Sequence, residues 1–304
     1  MNLIQFSSRA DWLDARRKGL GGSDVPAVLG LSPYRTPLMV WTDKVGLAGD
    51  LPDSYTLRRG AHMEGLLARE LDTEAGVLLG IGSEYGTQNP CIAIGEEPWM
   101  RYLPDGIGRK DGARVLVEFK SHPRGCSDWD GEVPAHVLAQ VQWGMYVCDM
   151  PAAYVAVDLG TEFRWARVER DPAWLETHLL AIRAFWQRVE DEDPPAPTGD
   201  EGDKAALAAM YPHEQEGKTV VLDADYLDLA WQLEEAEKEL KAAQEAVDEI
   251  KNRVRMAMGD AERALLADGS GWSNTTTTIK ADPHPKPRLE KSYRVLRRFK
   301  AKER

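Results

Sequence analysis

The segment Arg114-Val115-Leu116-Val117-Glu118-Phe119-Lys120 constrains the fold of this chain more than any other. A short valine-rich apolar run of this kind reads as a strand. Period-two geometry then puts Glu118 and Lys120 on one face and turns Phe119 the other way, into apolar packing. Similar runs at 91–94, 99–103, 153–158 and 163–168 read as further strands. Helical patterns fall between them, at 12–18, from Ser23 or Asp24 through Leu29, at 60–76, from Pro134 through Cys148, and at 172–188. Helices alternating with strands around one central sheet define an α/β (α+β) domain over residues 1–190.

The rest of the 304 residues leaves room for an appendage. Residues 191–217 are acidic, with prolines at 194, 195 and 197, and read as a surface linker with room for one short helix. Residues 218–304 form a patterned helix and a basic tail. Tyr226, Leu229, Leu233, Ala236, Leu240, Ala243, Val247, Ile250, Val254 and Ala257 recur at spacings of three and four, a heptad seam that stops near Gly259. Such a seam either pairs subunits, docks a partner, or packs the helix on its own chain. Residues 271–280 match no recognisable pattern.

Net charge is −12, which taken alone argues against a nucleic-acid binder. The charge is uneven, however. Residues 190–217 carry nine acids and one base, whereas 286–304 carry nine bases and two acids, so local patches decide. No apolar run reaches the ~20 residues of a membrane span, and the first residues lack the apolar core of a secretory signal. The three cysteines, Cys91, Cys126 and Cys148, are too far apart for a metal knuckle and odd in number for a disulfide framework. A cytosolic protein without membrane association is expected.

The chemistry concentrates between Leu103 and Lys120. Asp105 follows Pro104 in a glycine-containing turn at the end of the 99–103 strand, and the chain returns antiparallel to bring Glu118 and Lys120 beside it. Two carboxylates and an ammonium at one spot suit a hard cation. Mg²⁺ takes oxygen ligands at about 2.0–2.1 Å and keeps several waters. Asp105, Glu118 and the main-chain carbonyl of Phe119 would supply three donors. Lys120 would orient the attacking water, or deprotonate it if its pKa is lowered. The fitting reaction is hydrolysis of a phosphodiester. The other reading is a solvated strand face with a Glu118–Lys120 ion pair. Gly-Gly-Ser at 21–23, opening a helix, offers backbone N–H groups to an anion, with Arg17 adding charge; the other reading there is an ordinary capped turn. Gln142 and Tyr146 lie one helical turn apart on one side of their helix.

Pro104-Asp105 followed by Glu118-Phe119-Lys120 resembles the PD-(D/E)xK nuclease superfamily, and more specifically the YqaJ-type viral recombinase nucleases of its lambda-exonuclease branch. The stretch Arg17-Lys18-Gly19-Leu20-Gly21-Gly22-Ser23-Asp24, the run Leu31 to Pro37, Trp41, the helix around Glu64, and a Gln142-to-Tyr146 QxxxY motif match in order and spacing. The resemblance covers roughly residues 10–190. It implies a restriction-endonuclease-like core, a central mixed sheet flanked by helices, with the long C-terminal helix added. It also implies Mg²⁺, with Mn²⁺ as an alternative, on Asp105, Glu118, the Phe119 carbonyl and Glu64. Lys120 would serve the water, Gln142 and Tyr146 would support the lysine strand or contact DNA, and Arg17, Gly22 and Ser23 would hold a 5′ phosphate. The implied activity is 5′-to-3′ resection of double-stranded DNA ends in a bacterial host, feeding a single-strand annealing protein, by a homo-oligomeric ring of three or four. The related iron–sulfur nucleases need four cysteines, which this chain lacks. An endonuclease on the same site, and an idle DNA-binding scaffold that works through its coiled coil, are the alternative functions.

Overall fold

The computed structural model describes residues 2–6, 8–49, 54–82, 91–122, 129 and 131–276. The basic tail at 286–304 and Cys126 lie outside the described residues. Two compact units divide the chain, Met1–Pro212 and His213–Arg304.

The first unit is organised by a five-stranded sheet: β2 (Leu78–Gly82), β5 (Gly106–Lys110), β6 (Ala113–Ser121), β7 (Ala152–Asp158) and β8 (Phe163–Glu169), in that spatial order. All neighbours are antiparallel except β6 and β7, which run parallel, so the sheet is mixed. A parallel pair needs a crossover, and α5 (Ala135–Cys148) provides it. Alternation along β6 separates two cores. Val115, Val117 and Phe119 pack with Leu67 and Leu71 of α4 (Tyr55–Ala75), while Leu116 packs with Val137 and Val141 of α5. Helix α4 starts five residues before Gly60, because the Ser54 hydroxyl accepts the Leu57 N–H as a cap; it stops at Gly76, whose φ of 63° suits glycine.

A smaller sheet joins β1 (Asn2–Gln5), β3 (Cys91–Ile94) and β4 (Arg101–Tyr102). The strand expected at 99–103 is thus only two residues long. The chain leaves it at Pro104 and enters β5 in the other sheet, so Asp105 marks a junction between sheets. The hairpin lies further on, at Asp111 and Gly112, with φ of 51° and 82°. Strand β5 is invisible in the sequence because Gly-Ile-Gly-Arg-Lys has one large apolar residue. Its Gly108 is required by packing: a Cβ there would lie 2.8 Å from Val77 Cγ1 and 3.1 Å from the Leu78 carbonyl oxygen.

Helices α1 (Arg9–Arg17), α2 (Asp24–Val28), α3 (Pro37–Lys44) and α6 (Pro172–Glu190) complete the α5 side together with α7 (Glu201–Met210). Helix α7 falls within the expected linker, but it packs on α3: Ala206 is buried, and the Asp203 carboxylate accepts from the Thr36 and Thr198 hydroxyls. The second unit holds α8 (Asp225–Met258) and a hairpin of β9 (Arg263–Leu265) and β10 (Gly271–Ser273), the second strand alone falling in the 271–280 stretch that matched no pattern. No helix among the described residues is long and apolar enough to cross a membrane.

Candidate active site

Register places the acidic residues. Gly106 is opposite Val117, where the β5–β6 ladder ends, while β6 continues to Ser121 against β7 alone. Beyond that point no strand among the described residues pairs with the β5-side edge of β6. Asp105, one residue before β5, fills the gap: its Oδ2 accepts the Phe119 N–H at 2.8 Å. The N–H and C=O of one extended residue point to the same edge, so the Phe119 carbonyl is also directed to this side rather than into the β7 ladder.

Glu118 is 2% exposed, and its carboxylate is held from three directions. The Tyr102 hydroxyl donates to Oε2 at 2.7 Å; Lys120 Nζ at 2.6 Å and Gln140 Nε2 at 2.5 Å both donate to Oε1. Lys120 Nζ also donates to Gln140 Oε1 at 3.0 Å, closing a ring of glutamate, lysine and glutamine. Two donors saturate Oε1, whereas Oε2 keeps one lone pair.

These groups line a cleft of ≈ 270 Å³. Asp105, Glu118, Phe119, Lys120 and Ser121 form one wall; Thr56, Gly60 and Glu64 of α4 form the other. Glu64 thus comes into the same cleft from the opposite face of the sheet. The electrostatics show an acid excess. Burial, then the Glu118 charge, push the Asp105 carboxyl well above its ordinary range; Glu64 adds to this and Lys120 opposes it. For Lys120, burial favours the neutral amine, but Glu118 and Asp105 outweigh it and raise the pKa. The lysine is therefore an ammonium in this setting, a hydrogen-bond donor rather than a base, contrary to the lowered pKa that base catalysis requires.

Among the described residues no three His, Cys, Asp or Glu side chains gather closely enough to cage a metal. The donors on offer are the Asp105 carboxylate, the remaining lone pair of Glu118 and a main-chain carbonyl, with Glu64 facing them. This is an all-oxygen, incomplete set of the kind that suits a hard cation keeping its own waters. A divalent cation would relieve the repulsion that disfavours Asp105 ionisation, so the donor set and its charge fit.

The expectation that Gln142 and Tyr146 support the lysine strand is corrected. Gln142 donates to the Glu169 carbonyl at 2.8 Å and accepts the Asp171 N–H at 2.9 Å, fastening α5 to the end of β8. The Tyr146 hydroxyl bonds to Glu96 at 3.2 Å. Neither supports the lysine strand. Gln140, two residues earlier and on the opposite side of α5, is the glutamine at the site. Nothing local in the sequence marks Gln140 over Gln142; the roll of α5 chose between them.

The glycine turn is tied to the same network. Leu20 bridges to Met100, and a Cβ on Gly22 would lie 2.4 Å from the Tyr102 ring and 3.1 Å from Gln140 Cγ. Only glycine fits against the two residues that hold Glu118. One N–H of the turn, that of Gly21, is already taken, however. Asp24 Oδ2 accepts the Gly21 N–H at 2.9 Å and Lys44 Nζ at 2.6 Å, while Oδ1 accepts from Arg35 at 2.8 Å. Burial alone would raise the Asp24 pKa, but Lys44 and Arg35 outweigh it and hold the carboxyl well below the usual range. Ser23 precedes α2 in an α-type conformation and makes no capping bond with its side chain. Arg17 closes α1, six residues before Ser23.

Residues 11–151 match the family model of the YqaJ-like viral recombinase domain. The chain is 27% identical over 272 residues to protein YqaJ of Bacillus subtilis strain 168, itself uncharacterised, covering 86% of this chain and 82% of that one. It is also similar to the alkaline exonuclease LHK-Exo of Laribacter hongkongensis: 17% identity over 66% of this chain and all of that one, with a TM-score of 0.47. A dAMP complex of LHK-Exo gives 16% identity, coverage of 60% and 94%, and the same TM-score.

Proposed function

We propose that this chain, whose residues 11–151 form a YqaJ-like viral recombinase domain, is a metal-dependent deoxyribonuclease that resects double-stranded DNA from 5′ ends. The 3′ single strands left behind would pass to a single-strand annealing protein. The observation that carries the reading is the meeting of Asp105, Glu118 and Lys120 in one cleft with an excess of negative charge. A phosphodiester carries its own negative charge, so an acidic cleft suits it only with a cation present.

Asp105, Glu118 and the Phe119 carbonyl would hold Mg²⁺, with Mn²⁺ as a substitute and Glu64 across the cleft for a second ion or a water. The ion supplies Lewis-acid polarisation of the phosphoryl oxygen and an activated water. The chain's own residues supply position. Tyr102 and Gln140 fix the Glu118 rotamer, and Gln140 also fixes the Lys120 ammonium. Held as a cation, Lys120 orients the attacking water and stabilises charge developing on phosphate. Arg17, Gly22 and Ser23 would select the terminal 5′ phosphate, with the glycine turn linking that end to Tyr102 and Gln140.

The test is purified protein with Mg²⁺ on end-labelled linear and closed circular duplexes. Linear DNA with a 5′ phosphate should be degraded fastest, circles should survive, and Arg17→Ala should abolish the preference for phosphate over hydroxyl. Circles cut as fast as linear DNA would replace exonuclease with endonuclease. No cleavage with any divalent metal would leave only a DNA-binding role.

A further inference from the structure

Helix α8 has 34 residues, about 51 Å at 1.5 Å per residue. Its heptad seam faces outward: Tyr226 is 49% exposed, Leu240 71% and Ile250 60%. The ion pairs Lys238–Glu235 and Lys241–Glu245 lie off that seam, so the polar face is satisfied within the helix. The repeating apolar positions are two in seven, with Leu227, Trp231 and Met256 exposed off the seam, and a seam that narrow is the face of a helix that pairs with another helix.

We propose that α8 pairs with α8 of a second copy of this chain, antiparallel, in the register centred between Lys241 and Ala242. Size complementarity selects this arrangement. In a parallel pair each position meets itself, so Ala236, Ala243 and Ala257 would stack alanine on alanine and leave three thin layers. In the antiparallel register the same alanines face Val247, Leu240 and Tyr226, and the remaining layers set leucine against valine or isoleucine. Every seam residue from Tyr226 to Ala257 then finds a partner, because the midpoint of the seam is also the midpoint of α8. Sliding by a heptad in either direction shortens the overlap.

Charge selects the same direction. Residues 225–241 hold six acids and two bases, whereas 242–258 hold three of each, with the bases last at Lys251, Arg253 and Arg255. A parallel pair lays the acidic half against its own copy. The antiparallel pair lays it beside the basic end and also opposes the two helix dipoles. This contact has twofold symmetry and is independent of the nuclease reading.

The full-length chain tests it. Tyr226→Cys and Ala257→Cys variants are oxidised separately and mixed, with the unsubstituted chain as blank for the native cysteines. The mixture should give a linked heterodimer several-fold above either variant alone. Tyr226→Cys linking to itself as readily would mean parallel strands and overturn the proposal. In sedimentation, Leu240→Glu should weaken self-association at least tenfold, with Ala243→Glu, on the facing layer, doing the same. An unchanged mass distribution in both variants, including one in which the seam instead takes up a different protein, overturns self-pairing.

Discussion

Two buried charge clusters sit within the first unit, and they are built to opposite balances. Around Asp24, one fully buried carboxylate faces Lys44 and Arg35, with Asp43 at the rim; cations match anions and the Asp24 pKa is depressed. Around Asp105, burial and the charges of Glu118 and Glu64 together outweigh Lys120, and the Asp105 pKa is raised. Asp105 is half-buried at a cleft whereas Asp24 is fully buried, so a greater burial of Asp105 cannot explain its raised pKa. A balanced cluster stabilises the fold as it stands, whereas an unbalanced one holds charge in reserve for a ligand.

The largest effect that separates them concerns rate. Asp105→Asn should lower DNA hydrolysis by a factor on the order of 10³, about 4 kcal/mol of barrier. In the absence of metal it should raise the melting temperature at neutral pH, because it removes a repulsion. A variant retaining a tenth of the activity would place Asp105 outside the chemistry. Lys120→Ala should lose a comparable factor in turnover while binding DNA nearly as wild type, and Lys120→Arg should not rescue it.

Asp24→Ala should act on stability instead. Leaving Lys44 buried without its carboxylate costs ~3–5 kcal/mol, which in a unit of this size lowers the melting temperature on the order of 10 °C. If the melting temperature holds and only DNA cleavage falls, Asp24 belongs to the site and the contrast between the clusters collapses.

The two glutamines of α5 divide in the same way on a smaller scale. Gln140→Ala should reduce turnover 10- to 100-fold, ~1.4–2.7 kcal/mol, with little change in melting. Gln142→Ala removes the bonds to the Glu169 carbonyl and the Asp171 N–H, costing ~1–3 kcal/mol of stability for the two with turnover intact.

The smallest effect is a difference of sign with pH. Asp24 has a depressed folded pKa, so its contribution is present above the unfolded value of about 3.9 and is lost as pH falls below it. Asp105 has a raised folded pKa, so its contribution is present below that value and is lost as pH rises through the folded one. Metal-free melting curves of Asp24→Asn and Asp105→Asn, against wild type, should therefore diverge in opposite directions between acid and neutral pH. Parallel curves would show that the two carboxyls share one environment.

Much of the site was legible because it follows from local geometry. The two-residue spacing of Glu118 and Lys120 fixes a shared face in any strand, and the order Asp105, Glu118, Lys120 is simply chain order. The helices with polar caps and apolar periodicity were legible as well, and the seam of α8 is a matter of period alone. Strand β5 was not, since two of its five residues are glycines, and one of them, Gly108, is required by a close neighbour. The short α3 and β1, and the packing of α7, were also hidden, because each depends on what it is laid against.

The sequence by itself determined that Glu118 and Lys120 project from one face of β6, because a strand's alternation is a property of the backbone. Only the tertiary structure decided their partners. The end of the β5–β6 register gives Asp105 the Phe119 N–H to hold, and the roll of α5 brings Gln140 rather than Gln142 to the lysine. Helix α3 and the turn before it give Asp24 Lys44 and Arg35, while at Asp105 burial and the charges of Glu118 and Glu64 outweigh Lys120. Hydrogen bonds and charge interactions act over a few ångströms in space, between residues that can be far apart in the chain. The sign of each aspartate's pKa shift was therefore set by packing and had no local signature to read.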